Sequence, residues 1–189
     1  MADYTVISAV SETLKGVLTT ALGTVDPAFK AVYFDFNAPP ANATLSIFLF
    51  EVGEDPSARN HPRVRETTPP NMKIRKPPIA LLLRYLLTPW GGDEVTKQKI
   101  LGKTMQVLYD RAILNGLDLN GVLADTDDQL KVTLAPLSLE ERTRVWHAIN
   151  KPYHLSVSYE VRVVNLDSES ARDVTPVTRR TEDFGGLTS

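Results

Sequence analysis

The sequence predicts an α+β fold: one mixed sheet of about five strands, with two long helices and one short helix packed on it, plus extended arms. Three observations predict it. Apolar residues switch along the chain between a period near 3.6 and a period of 2. The resulting order is helix, two strands, arm, strand, helix, strand, short helix, strand, tail. Two long stretches, 53–77 and 167–189, carry almost nothing that would enter a core.

The elements follow in order. From about Thr5 to Leu22, the residues Val6, Ile7, Val10, Leu14, Val17, Leu18 and Ala21 form an apolar stripe at helical spacing. Ser8, Glu12, Lys15 and Thr19 lie opposite, and Gly23 is expected to end the helix. Ala31–Phe36 and Thr44–Val52 read as strands, the second apolar enough for burial on both faces. The linker between them, NAPPANA, is too long for a tight hairpin.

Residues 53–77 hold five prolines and few core-forming residues. Arg59, Arg63, Arg65, Lys73, Arg75 and Lys76 against Glu54, Asp55 and Glu66 give the segment a net charge of +3. So long a structureless loop in a compact domain is usually functional or disordered.

Pro78–Thr88 reads as a central strand because its apolar run is continuous. Pro89-Trp90-Gly91-Gly92 is expected to turn the chain. A second helix is expected from Asp93 to about Leu114. Its wet stripe is Lys99, Lys103, Gln106 and Asp110, its dry one Leu101, Met105, Leu108 and Ala112, and Asn115-Gly116 ends it. Gln129–Leu134 reads as a short strand.

The clearest local signals run from Pro136 to Val164. Ser138 stands three residues before Glu141, the capping-box spacing. Glu140 and Glu141 fall in the first turn, where the helix dipole favours carboxylates. Leu139, Arg142, Val145, Trp146 and Ile149 share a face, and Arg142 there is expected to send its head to water. Glu140 and Arg144 form an i,i+4 pair, and Pro152 stops the helix. The period then becomes 2. Leu155, Val157, Tyr159, Val161 and Val163 point to a buried face, and His154, Ser156, Ser158, Glu160 and Arg162 to a wetter one. After Asp167 the tail is polar and has little means of burying itself alone. The expected organisation is a single domain over 1–166, including the arm at 53–77, and a polar tail at 167–189, with no internal repeat and no added C-terminal domain.

Composition excludes several classes. The 189 residues suffice for a core without metals or disulfides. The absence of cysteine removes thiolate catalysis and cysteine-ligated zinc. A net charge of −2 argues against a general polyanion binder. The N-terminus MADYTVISAV has no basic n-region, so no signal peptide is expected. The apolar run Ile79–Leu87 is broken by Arg84 and too short to span a bilayer.

No constellation points to chemistry, so no catalytic, metal or cofactor residues are assigned. Gly102-Lys103-Thr104 resembles the end of a phosphate loop, but Lys97 stands where that loop needs glycine. His61, His147 and His154 show no zinc spacing and no triad. Asp118, Asn120, Asp125, Asp127 and Asp128 cluster in one loop, but Gly121 is at the fourth position and Gln129 at the twelfth, so the calcium-loop pattern fails. The basic arm lacks interleaved aromatics for base stacking, and its prolines oppose a recognition helix. Docking on another protein therefore ranks above nucleic acid. Trp146, on the apolar helix face, reads as core; Trp90, in its Gly-rich turn, is an interface candidate with Arg59, Arg63, Arg65, Lys73, Arg75 and Lys76.

Three segments together resemble a family: the ISAVSETLKGVL helix, the PPIALLLRYLLTPW strand with the ILGKTMQVLYD helix, and the LSLEERTRVWHAI–YHLSVSYEVRVV block. They look like the tube-terminator or cap proteins of bacterial contractile injection systems, which are phage-tail-like particles with an inner tube and a contractile sheath. The resemblance covers most of residues 5–166 and carries no catalytic signature. It implies a structural protein that forms a ring, of six copies, on the end of tube and sheath away from the baseplate. The implied partners are other copies of itself and the inner-tube and sheath proteins, with no membrane, nucleic acid or cofactor. Assembly would take place in the bacterial cytoplasm. An adaptor or assembly chaperone is the alternative function, a nucleic-acid-binding module the third, and an enzyme the last.

Overall fold

A computed structural model describes residues 3–38, 40, 44–58, 64–68, 71–124, 126–168 and 171–174. Helix α1 spans Val6–Gly23, with Val10, Leu14, Val17, Leu18 and Leu22 buried along the expected stripe. It does not end on a left-handed glycine. Gly23 closes the last turn in ordinary helical geometry, and the Thr24 N–H returns to the carbonyls of Ala21 and Leu22.

Among the described residues nine strands follow: β1 Lys30–Tyr33, β2 Thr44–Glu54, β3 Val64–Thr68, β4 Asn71–Arg75, β5 Ile79–Trp90, β6 Ile113–Asn115, β7 Gln129–Leu134, β8 Val157–Leu166 and β9 Ala171–Val174. Among the described residues there are two further α-helices, α2 (Glu94–Asp110) and α3 (Leu139–Ala148), and three short 3-10 helices. The main sheet has six strands, one more than expected, in the order β1-β2-β5-β8-β7-β6. Only β1–β2 is parallel, so the sheet is mixed and the α+β class holds.

β5 lies inside the sheet, as its continuous apolar run predicted. It runs two residues further than expected, so Pro89 and Trp90 belong to the strand. The turn is made by Gly91 and Gly92, with φ 71° and 67°. A Cβ on Gly92 would come within 3.0 Å of Thr96, so the tight entry into α2 needs glycine there. The Asp93 carboxylate then caps α2 by accepting the Thr96 N–H at 2.8 Å. α2 ends at Asp110, four residues early. Ile113–Asn115 peels off as β6 and pairs with β7. Its buried stripe is Ile100, Leu101, Thr104, Val107 and Leu108, while Met105 and Ala112 are exposed.

The two faces of the sheet are covered differently. Leu83, Tyr85 and Leu87 of β5 join Leu45, Ile47, Leu130, Val132 and Val161 in one core with α1 and α2. The Tyr85 hydroxyl lies 2.9 Å from the Ser11 hydroxyl of α1. Alternate residues of β5 face the other way. There α3 sets the fully buried Trp146 over the sheet. The capping box forms as spaced: the Ser138 hydroxyl accepts the Glu141 N–H at 3.2 Å, and Glu141 accepts the Ser138 N–H at 2.7 Å. Glu140 and Arg144 pair at 2.7 Å.

Two expectations for this region are corrected. Arg142 does not send its head to water; its Nη1 donates to the Ser156 carbonyl at 3.1 Å. The wetter face around the start of β8 is also buried: Ser156 and Ser158 are almost inaccessible, and Trp146 Nε1 of α3 donates to the Ser156 hydroxyl at 3.4 Å. β2 departs in the opposite sense: only its first four residues are buried, and its far end is exposed.

The largest correction concerns the arm, which is not a structureless loop. β3 and β4 form an antiparallel hairpin, and β9, from the polar tail, adds to β4. The resulting three-stranded sheet, β3-β4-β9, repeats the order of β2-β5-β8, because β3 follows β2, β4 precedes β5 and β9 follows β8.

Trp146 is the one buried side chain of the ten-residue α3. Trp146→Ala should therefore lower unfolding stability by about 3–5 kcal/mol, the usual cost of emptying a buried Trp site. Leu139→Ala on the same helix, at a 61 % exposed site, should leave the denaturant midpoint almost unchanged. Equal midpoint losses for the two would show that Trp146 does not anchor the helix.

Candidate functional site

The expected interface residues do not form one patch. Arg59 and Arg63 lie outside the described residues. Arg65 is on β3, opposite Ile74. Lys73 sits in the middle of β4, opposite Glu66 on one side and Asp173 on the other. Arg75, at the end of β4, is opposite Val64 and Ala171, and Lys76 follows it, exposed. Trp90 is at the far end of β5, a strand of twelve residues, which separates it from the arm by roughly 40 Å at about 3.3 Å per residue.

The candidates therefore lie toward opposite ends of β5. At the Trp90 end, the side chain is half-buried, and its Nε1 donates to the Ser46 hydroxyl at 2.7 Å. His154 lies between the two tryptophans, with ring centroids 4.4 Å from Trp90 and 5.2 Å from Trp146. Phe34 stacks on Trp90 at 6.0 Å and meets Trp146 edge-on, and Phe36 and Phe48 extend the group. Burial, with Lys97 nearby, pushes the His154 imidazole below its ordinary value and favours the neutral ring. Phe36 is 50 % exposed, so an aromatic shelf opens to solvent beside a closed cluster.

From the middle of β5 toward its other end, charges cross the sheet. Arg84 of β5 donates to Glu51 of β2 at 3.0 Å and stands 3.9 Å from Glu160 of β8. Arg162 pairs with Glu160 at 2.7 Å and reaches Asp55 at 3.9 Å. Asp55 is buried at the junction between the two sheets, and its N–H donates to the Ala80 carbonyl at 2.8 Å. Its carboxylate accepts the Ser57 hydroxyl and N–H, at 2.6 and 2.9 Å. The Ser57 bonds, and then Arg162, hold this carboxyl below the usual carboxylate range.

Neither the aromatic group nor this ladder was foreseen. The members of the first are far apart in sequence. The second had a signal, since an arginine inside an apolar central strand requires carboxylates on its neighbours.

The remaining motifs have local roles. Gly102-Lys103-Thr104 lies inside α2, where the buried Thr104 hydroxyl bonds the Ile100 carbonyl at 2.8 Å. Asp118 pairs with Arg111 at 3.1 Å, and Asp128 accepts the Thr126 hydroxyl at 2.8 Å. His147 is exposed in the last turn of α3, and His61 lies outside the described residues. Among the described residues no group of three or more His, Asp or Glu side chains is placed to hold a metal, and no helix is long and apolar enough to cross a membrane.

A mixed six-stranded sheet, helices on both faces and a strand extension at one end define an α+β domain. Within that class the chain belongs to the Pvc16 N-terminal domain family, which it matches over residues 9–180. Two solved structures share the fold. One is the sheath/tube terminator of an extracellular contractile injection system, PVC, in its extended state: 20 % identity, TM-score 0.71, covering 100 % of this chain and 66 % of that one. The other is the tube-terminating cap of the anti-feeding prophage: 18 % identity, TM-score 0.63, covering 94 % of this chain and 60 % of that one. The chain thus spans just under two thirds of the length of these relatives. No curated protein matches it significantly.

Asp55 has a testable consequence. A carboxyl whose folded pKa is depressed stabilises the fold above its unfolded value, about 3.9, and loses that contribution as pH falls through the folded value. Asp55→Asn should therefore flatten the fall in denaturant midpoint between pH 7 and pH values below about 4. An unchanged pH profile would show that the carboxylate adds nothing to the junction.

Proposed function

We propose that this protein is a structural, non-enzymatic cap. It forms a ring, of six copies, that ends the inner tube and sheath of a bacterial contractile injection system away from the baseplate. The observation that carries the reading is family membership over residues 9–180, together with a fold shared along the whole chain with a sheath/tube terminator. The physical requirement fits. Tube and sheath grow by heterologous contacts that repeat without limit. A terminator has to match the last ring on one face and deny such a contact on the other, so its two ends must differ.

In this reading residues 1–166 form the ring-building domain, with the arm 53–77 inside it, and the tail 167–189 contributes the strand β9. The basic residues Arg59, Arg63, Arg65, Lys73, Arg75 and Lys76 serve a protein partner at the arm end, and Trp90 serves another at the aromatic end. The ring assembles in the cytoplasm and remains part of the particle.

Light scattering of the purified chain, alone and with tube protein, should give the mass of a ring; a stable monomer under both conditions would overturn the reading. Deleting residues 57–75 should leave the main sheet folded and produce particles of uncontrolled length. Normal rings and normal-length particles would remove the arm from the mechanism.

A further inference from the structure

The small sheet is joined to the main one at a break in hydrogen bonding. β8 pairs with β5 as far as Leu166 opposite Ile79, and β9 pairs with β4 from Ala171 opposite Arg75. Between Arg75 and Ile79 the chain reads Lys76-Pro77-Pro78. Two consecutive prolines offer no N–H, so no continuous ladder passes from one sheet to the other.

Among the described residues β9 pairs with β4 over four, Ala171 to Val174, separately from the long β5–β8 ladder. The β3–β4 hairpin in turn needs a third strand, because an isolated two-stranded hairpin is marginal in water. Local opening costs least where few residues hold a strand. β9 is therefore both the strand that completes the small sheet and the one most easily withdrawn from it.

Four residues, 167–170, link Leu166 to Ala171, enough for a reach of about 17 Å fully extended. A second copy of the chain carries the identical strand, so it fits the β4 edge in the same register without any new surface. In a ring the neighbour's strand is also held at high effective concentration.

We propose that β9 is exchanged between neighbouring copies: each subunit lays residues 171–174 on the β4 edge of the next, and the head-to-tail exchange closes the ring. This rests on the ring reading above. The partner is a second copy of this chain, and the docking surface is the β4 edge from Met72 to Arg75.

The chain has no cysteine, so an engineered pair forms a single defined disulfide. Ile74 and Arg172 are directly opposed, as are Lys73 and Asp173, which puts each pair within the Cα separation a disulfide needs. Ile74→Cys with Arg172→Cys is the first variant; Lys73→Cys with Asp173→Cys is the second, should the first fail to fold or oxidise. Each is oxidised at concentrations where light scattering reports the ring, then run on a denaturing, non-reducing gel. The expected result is a ladder of covalent multimers up to the ring. A ring that yields only cross-linked monomer, or free thiols, overturns the exchange and leaves the ring reading standing. A chain that is monomeric by scattering and cross-links only to itself overturns both.

Discussion

The structure depends on one strand. β5 is paired along both edges, by β2 and β8, and covered on both faces, by α1 and α2 on one side and partly by α3 on the other. Its most demanding residue is Arg84, a cation in an otherwise apolar run. A guanidinium half withdrawn from water requires carboxylates within reach. Glu51 and Glu160 are the residues directly opposite it on β2 and β8. Slipping either neighbour by one residue would turn its glutamate to the opposite face and bring an apolar side chain under Arg84. The ion ladder therefore matters less for its net energy, modest for partly exposed pairs, than for the register it selects. Beyond a register shift between Leu49 and Glu51, the same strand pair places Ser46 opposite Thr88, and the Ser46 hydroxyl receives the Trp90 N–H.

What was legible in the sequence was local. The capping box of α3 involves residues three apart, and the α1 stripe repeats within one helix, so each signal stands without knowledge of the fold. β6 was not legible because Ile113-Leu114-Asn115 continues a helical pattern smoothly. Only pairing with β7 draws it out of the helix, a tertiary effect overriding a local one. The β3–β4 hairpin was missed for a related reason. β4 alternates only over Met72 and Ile74, β3 does not alternate at all, and the third strand lies almost a hundred residues further along the chain. Of the candidate site, only the choice of Trp90 and of the arm as candidates was legible. That they occupy opposite ends of one strand was not, since it depends on β5 running straight through Pro89 and Trp90.

The proline-rich composition of the arm has a physical meaning once the strand order is known. β2, β5 and β8 would, if continuous with β3, β4 and β9, make one long three-stranded ribbon. Pro77 and Pro78 interrupt it, and Asp55, tied to Ser57 and facing Arg162, fills the interruption with a buried carboxylate. The segment is thereby divided into a rigid part, buttressed by helices, and a small sheet whose pairing is its own. Charge follows the same division. Lys73 stands between Glu66 and Asp173 in register, an order that favours the observed pairing of β4 with both neighbours over pairings that set like charges opposite.

A domain built on one long strand has two unlike ends. One end of β5 carries an aromatic cluster locked by Trp146 and bordered by the half-exposed Phe36. The other leads into a three-stranded sheet whose edge strands, β3 and β9, have one neighbour each among the described residues. The first kind of surface recognises a partner by shape and apolar area and offers no ladder to extend; the second recognises a partner by strand addition. A subunit with the second kind at both ends would propagate a polymer, and one with the first kind at both would have nothing to join by main-chain pairing. Carrying one of each is the asymmetry that the proposed cap would use. Here it follows from the length of β5, from where the prolines fall, and from the short helix that Trp146 anchors over one end of the sheet.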